Sequence, residues 1–163
     1  MRQRPSPWAA VARFGQAYWF FGNLYEAVVD VPQLLADAHG QRPPRLLGPG
    51  SPVRYYAPLA PLTLAATAAT LIDRWRGGES KAMIAATAVA TASAVAMTGY
   101  LVRTVNLPLL HGDLPINASE RRRLIRIWHQ TNAVRLVALA AASLAMRRTA
   151  RASPGTASRA APN

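Results

Sequence analysis

Four long apolar stretches stand out along the chain, at residues 8–29, 56–72, 82–102 and 124–146. A helix rises 1.5 Å per residue, so about 20 apolar residues reach across the roughly 30 Å hydrocarbon layer of a bilayer. The pattern therefore predicts an all-α fold: an integral membrane, up-down four-helix bundle over residues 1–148, followed by a disordered cytoplasmic tail at 149–163. The first stretch is rich in aromatics (Phe14, Tyr18, Trp19, Phe20, Phe21, Tyr25). Arg13, Gln16, Asn23 and Glu26 interrupt it and no small-residue cleavage site closes it, so it reads as a retained helix and not a cleaved signal. The second is the shortest and carries Pro58 and Pro61 in its first turn, where a missing N–H leaves no bond unmade. The third is built from Ala, Val and Thr and is apolar around its whole circumference. A soluble four-helix bundle is the rival reading, but a soluble helix of that length keeps a polar face.

Between the first two stretches, residues 30–55 hold Pro32, Pro43, Pro44, Pro49 and Pro52, a density that predicts an irregular loop with a short helix at 32–38. Gly77 and Gly78 mark a tight turn within residues 73–80. A longer loop is expected at 103–120, with Asn117 or Ser119 capping the helix that follows.

Charge changes the picture less than its size suggests. The net charge is +12, the pI about 11.6, and hydrophobic residues make up 51% of the chain. So basic a protein points first to nucleic acid. Here the arginines flank the apolar stretches instead of covering one face, which fits membrane edges and argues against a nucleic-acid partner. Placing both termini in the cytoplasm puts ten Arg and Lys residues inside and eight outside, so the bias that orients multi-pass proteins favours that topology narrowly. With no cysteine, disulfides, thiolate metal sites and cysteine nucleophiles are excluded. His39, His111 and His129 match no metal-ligand spacing, and no metal site is expected.

Polar groups inside a spanning helix are costly and tend to face the bundle interior. Helical spacing sets Gln16, Trp19, Asn23, Glu26 and Asp30 on one stripe of the first helix. Trp128, Asn132 and Arg135 share a stripe on the last, with His129 beside it. Antiparallel packing of these two helices brings Glu26 to the depth of Arg135. Two readings follow: a neutralising pair that only sets helix register, or a pocket lined by these groups. Thr63, Thr67 and Thr70 are read as bonding back to their own backbone, and the run Arg121-Arg122-Arg123 with Arg126 as meeting lipid phosphate.

The segments Arg103-Thr-Val-Asn106-Leu-Pro108 and Leu114-Pro-Ile-Asn117, followed by Trp128-x-x-x-Asn132-x-x-Arg135, resemble the anthrone-oxygenase-like family of small four-helix membrane proteins. That resemblance covers the helix layout of most of the chain, with its specific part confined to residues 105–135. Asn23-Leu-Tyr-Glu26 with Val31-Pro32 departs from the commonest form of helix one and looks like a distinct branch. The resemblance implies an oxygenase of a polyketide anthrone, phenol or hydroquinone that needs no metal, flavin or other cofactor. For such a reaction the residues of this chain offer Glu26, or alternatively His129, as the base, and Arg135 with Asn132 as stabilisers of an enolate oxygen. Trp19 and Trp128 would stack on the planar substrate, and Asn23, Asn106 and Asn117 would complete the binding set. The partners expected are the lipid bilayer and a hydrophobic aromatic small molecule; a homo-oligomer is compatible with so small a bundle. The competing expectation is a non-enzymatic accessory or scaffold protein with a structural Glu26–Arg135 pair. A proton-coupled transporter is the third, for which four short helices would need to oligomerise to form a path.

Overall fold

A computed structural model of the chain describes residues 6–37, 56–111 and 116–149, and among these there is no strand. The helices are α1 (Pro7–Val28), α2 (Val31–Asp37), α3 (Leu59–Arg76), α4 (Lys81–Leu101), a π-helical turn (Val102–Asn106), α5 (Leu107–His111) and α6 (Ala118–Thr149). Residues 38–55, with His39, and the tail after Thr149 lie outside the described residues.

Local chemistry sets the ends. Pro7 opens α1, and the chain leaves that helix through Asp30, whose φ of 53° turns it into α2. Gly78, at φ 74°, supplies the left-handed residue of the α3–α4 turn. The side chain of Asn117 caps α6, its Oδ1 accepting from the Glu120 N–H at 2.8 Å and the Ser119 hydroxyl at 2.6 Å.

Two boundaries correct the sequence reading. The loop expected at 103–120 is helical from 103 to 111 and again from 118. Pro108 is held within this helical run, and the turn before it widens to π form, which gives its ring room against the preceding carbonyls. α6 starts at Ala118, where the expected Asn117 cap places it, so the helix runs ahead of the apolar stretch at 124–146 through Arg121, Arg122 and Arg123, which are good helix formers even though they are not apolar. α3 is likewise displaced, running on to Arg76.

α1 packs on α3 and α6, α4 packs most extensively on α6, and α3 meets α4 across the Gly77–Gly78 turn. The directions alternate. Ser6 donates to Asp73 at 3.1 Å at one end of the α1–α3 contact, and Gly22 lies against Tyr56 at the other. Midway, a Cβ on Gly15 would sit 2.1 Å from the Thr63 hydroxyl, so the two backbones approach closely only because residue 15 is glycine. Near the opposite end of the bundle, Leu101, Val105, Leu109, Leu124 and Trp128 form an apolar cluster closed by Ala36 of α2.

Polar side chains share the interior with apolar ones, and many large apolar side chains lie on the surface. Gln16, Asn23, five threonines, Asn132 and Arg135 are buried, while Phe14, Phe21, Tyr25, Val28, Val89 and Val137 are each at least 64% exposed. Among the described residues one helical run, Lys81–Leu109, is long and apolar enough to cross a membrane, and only 22% of its most apolar window is buried. The other apolar stretches fall short of that criterion. Arg13, Gln16, Asn23 and Glu26 lie along α1, and Asn132 and Arg135 along α6.

Candidate functional site

The interior polar groups lie in layers along α1. In the first, the Gln16 amide reaches the hydroxyls of Thr67 on α3 and Thr91 on α4, each at 3.4 Å. Thr67 and Thr70 donate back to the carbonyls of Thr63 and Ala66 at 2.7 Å, the backbone bonding their spacing predicts. Gln16 is wholly buried, and its Oε1 has no partner among the described residues.

Two turns along, the carbonyl of Asn23 accepts a hydrogen bond from the Asn132 amide at 3.2 Å. The Asn23 side chain is itself wholly buried, and neither its Oδ1 nor its Nδ2 has a hydrogen-bond partner among the described residues. An amide buried in that state costs about 1–3 kcal/mol of desolvation per group unless something bonds to it.

The next layer is built around Arg135. Its Nε and Nη2 donate to Asn132 Oδ1 at 3.0 and 2.6 Å, Nη1 donates to Thr98 at 3.2 Å, and Nη2 faces Glu26 Oε2 at 3.5 Å. A guanidinium carries five N–H donors, so these four bonds leave one N–H on Nη1. Glu26 and Arg135 are 14% and 5% exposed, and the Tyr56 hydroxyl also lies in the field of the Glu26 carboxylate. Thr98 and Tyr56 were not singled out from sequence. Nothing in an Ala/Thr helix distinguishes one threonine from the next, and Tyr56 stands 30 residues after Glu26 in the chain.

Other expected site residues are placed elsewhere. His129 sits at the rim, 3.1 Å from Asp30, with 41% of its side chain exposed. Trp128 is buried in the apolar cluster and Trp19 is half-buried on α1. Asn106 lies in the π-helical turn with its Oδ1 buried and without a hydrogen-bond partner among the described residues, while Asn117 is exposed and serves as the cap of α6. Two of the arginines read as lipid contacts have acidic partners within the chain: Arg121 pairs with Asp37, and Arg123 with Glu120 at 3.0 Å. Among the described residues no three His, Asp or Glu side chains are grouped as a metal site requires.

No protein-family model matches the chain, and no curated protein and no solved structure matches it either.

Proposed function

We propose that the chain is a multi-pass membrane protein, its four long helices spanning as an up-down bundle with both termini cytoplasmic, and that it oxygenates an apolar aromatic substrate in the layer around Glu26 and Arg135. The membrane setting is supported by the polar groups in the interior and the large apolar side chains on the surface. The residues that depress the hydropathy of α1 and α6 include Gln16, Asn23, Asn132 and Arg135, which are turned inward, while the surface carries large apolar side chains. In water that surface would be left unburied; in lipid it is solvated.

The observation that carries the site reading is the orphaned amide of Asn23. A ligand with both a hydroxyl and a carbonyl satisfies it, next to a carboxylate, a guanidinium with one N–H to spare, and Asn132. In the reaction drawn from the family resemblance, Glu26 takes a proton from the methylene carbon of an anthrone. Arg135 and Asn132 hold the enolate oxygen. The electron-rich enolate reacts with dioxygen to give a carbon hydroperoxide, which regains the proton and loses water to leave a carbonyl. Anthrone and one O2 thus become quinone and one water.

Oxygen uptake by the purified protein in detergent, with a panel of anthrones and hydroquinones, tests this. Arg135→Lys keeps the charge but loses the planar fork of donors. That change and Asn132→Leu should each lower turnover on the order of a hundredfold, while the exposed Arg122→Gln leaves it nearly unchanged. Full uptake by both variants would remove the site assignment. One observation favours a scaffold protein instead: the chain's own groups already engage four of the five Arg135 donors. Absence of turnover on every quinone precursor would make that the better reading.

A further inference from the structure

We propose that the bundle conducts protons along the polar column at its centre, an activity that rests on the membrane reading above but not on the oxygenase. The column runs the length of α1. It begins at Ser6 and Asp73, beside Arg74, and continues through Thr70 and the Gln16–Thr67–Thr91 layer. It then passes Asn23 and Asn132, the Glu26–Arg135–Thr98 layer with Tyr56, and ends at Asp30 and His129. From residue 6 to residue 30 a helix rises about 36 Å, enough to cross the hydrocarbon layer. Three helices contribute partners to the side chains of the fourth, so the path lies inside one chain and needs no oligomer. This removes the ground on which a proton path looked weak from sequence.

Where no aromatic ligand occupies the Asn23 layer, the unpartnered groups of two buried amides point to water as the occupant. Gln16 Oε1 and both polar atoms of Asn23 are buried without partners, in successive layers of the column. Water is the small molecule that donates to one orphaned group and accepts from the next, and buried waters are found at such groups. The two amides are seven residues apart, about 10 Å, a gap that a short file of waters bridges. Along such a file a proton moves by exchange of hydrogen bonds, and no molecule has to cross.

The Glu26–Arg135 pair makes the path selective. The guanidinium repels a passing cation, as an arginine does in a water pore. A proton is the exception, because the Glu26 carboxylate can bind it covalently and release it on the other side. A metal cation has no equivalent step.

The test is proton flux in phosphatidylcholine–phosphatidylglycerol vesicles loaded with a pH-sensitive dye, with valinomycin and a potassium gradient setting the voltage. Flotation of the same vesicles reports insertion separately. Wild-type vesicles should acidify at least tenfold faster than empty ones. Gln16→Leu, which exchanges an amide with an unpartnered oxygen for an apolar side chain of similar size, should keep the fold and cut the flux at least tenfold; Glu26→Gln, compared per folded protein because it also weakens the ion pair, should cut it likewise. Protein that floats but conducts no faster than empty vesicles overturns the proposal, as does a folded Gln16→Leu that conducts like wild type. Protein that fails to float overturns the membrane reading and the path with it. Proton flux without oxygen uptake supports the path while the oxygenase falls.

Discussion

The α1–α3 contact and the cluster around Trp128 hold helices together in opposite ways. Around Trp128 the joint is made of large side chains: Leu101, Val105, Leu109 and Leu124 fill the space between α4, the π turn, α5 and α6, and α2 closes it. Between α1 and α3 almost nothing large intervenes. Ala12 packs with Ala66, and a Cβ added at Gly15 or Gly22 would collide with the side chain of Thr63 or Tyr56. The first joint is what water drives, since burying large apolar side chains removes them from solvent. The second depends on close van der Waals contact, which in the proposed membrane setting is what remains when the surroundings are as apolar as the interior. Their positions agree with this division. The Trp128 cluster sits at the end where Asp37 pairs with Arg121 and Asp30 with His129, and the small-residue joint runs along the middle of α1.

The largest effect should come from breaking the second joint. Gly15→Val would put a branched Cβ where the Thr63 side chain already stands, 2.1–2.8 Å away. Neither backbone can move without unzipping α1 from α3, so no monodisperse folded protein is expected on size-exclusion chromatography in detergent. If Gly15→Val elutes like wild type with an unchanged melting temperature, the close approach is not what holds these helices.

Next in size is the ion pair that links α1 to α6. Removing one partner of a buried pair costs roughly 3–5 kcal/mol, whereas replacing both with apolar residues is often near neutral. Glu26→Gln and Arg135→Met should each lower the melting temperature in detergent by several degrees, and the double variant should recover much of the loss. Strict additivity would mean that the 3.5 Å contact carries no coupling.

Trp128→Ala sharpens the comparison from the other side. In a soluble core such a truncation costs about 3–5 kcal/mol. If the cluster is driven by water as argued, Trp128→Ala should lower thermal stability markedly yet leave a folded, inserted protein, because the mid-bundle joint is untouched. Collapse as complete as that of Gly15→Val would erase the distinction between the two joints.

How much of this was legible in the sequence depends on how far apart the partners are. Glu26 facing Arg135 follows from helical spacing and chain direction alone, since both stripes carry their own signal. The value of Gly15 does not, because it lies in Thr63, 48 residues later and on another helix. Asp37 and Arg121 pair over a separation of 84 residues, and no local pattern announces it. The helical stretch at 103–111 is illegible for a different reason. Apolarity was used as the marker of helix, but it marks only what faces lipid or core. The turns of α6 that carry Arg121, Arg122 and Arg123 are helical and polar, and the π turn before Pro108 is helical despite a proline.

The smallest effect expected belongs to the cap of that same helix, and it separates two uses of Asn117. The resemblance makes Asn117 part of a binding set, while its position makes it the residue that ends a loop and starts α6. Its Oδ1 accepts the Glu120 N–H at 2.8 Å, satisfying a donor that would otherwise lack an intrahelical partner. Replacing such a cap with alanine costs about 0.5–2 kcal/mol. Aspartate keeps the acceptor and adds a charge that suits the positive end of the helix dipole. Asn117→Ala should therefore lower the melting temperature by a few degrees and Asn117→Asp should restore it, with oxygen uptake and proton flux following the folded fraction in both. The helix is anchored further along by Trp128, Asn132 and Arg135, so fraying at Ala118 need not travel to the buried layer. A loss of uptake in Asn117→Asp with stability intact would put the amide in contact with substrate, and the cap would then be only part of its role.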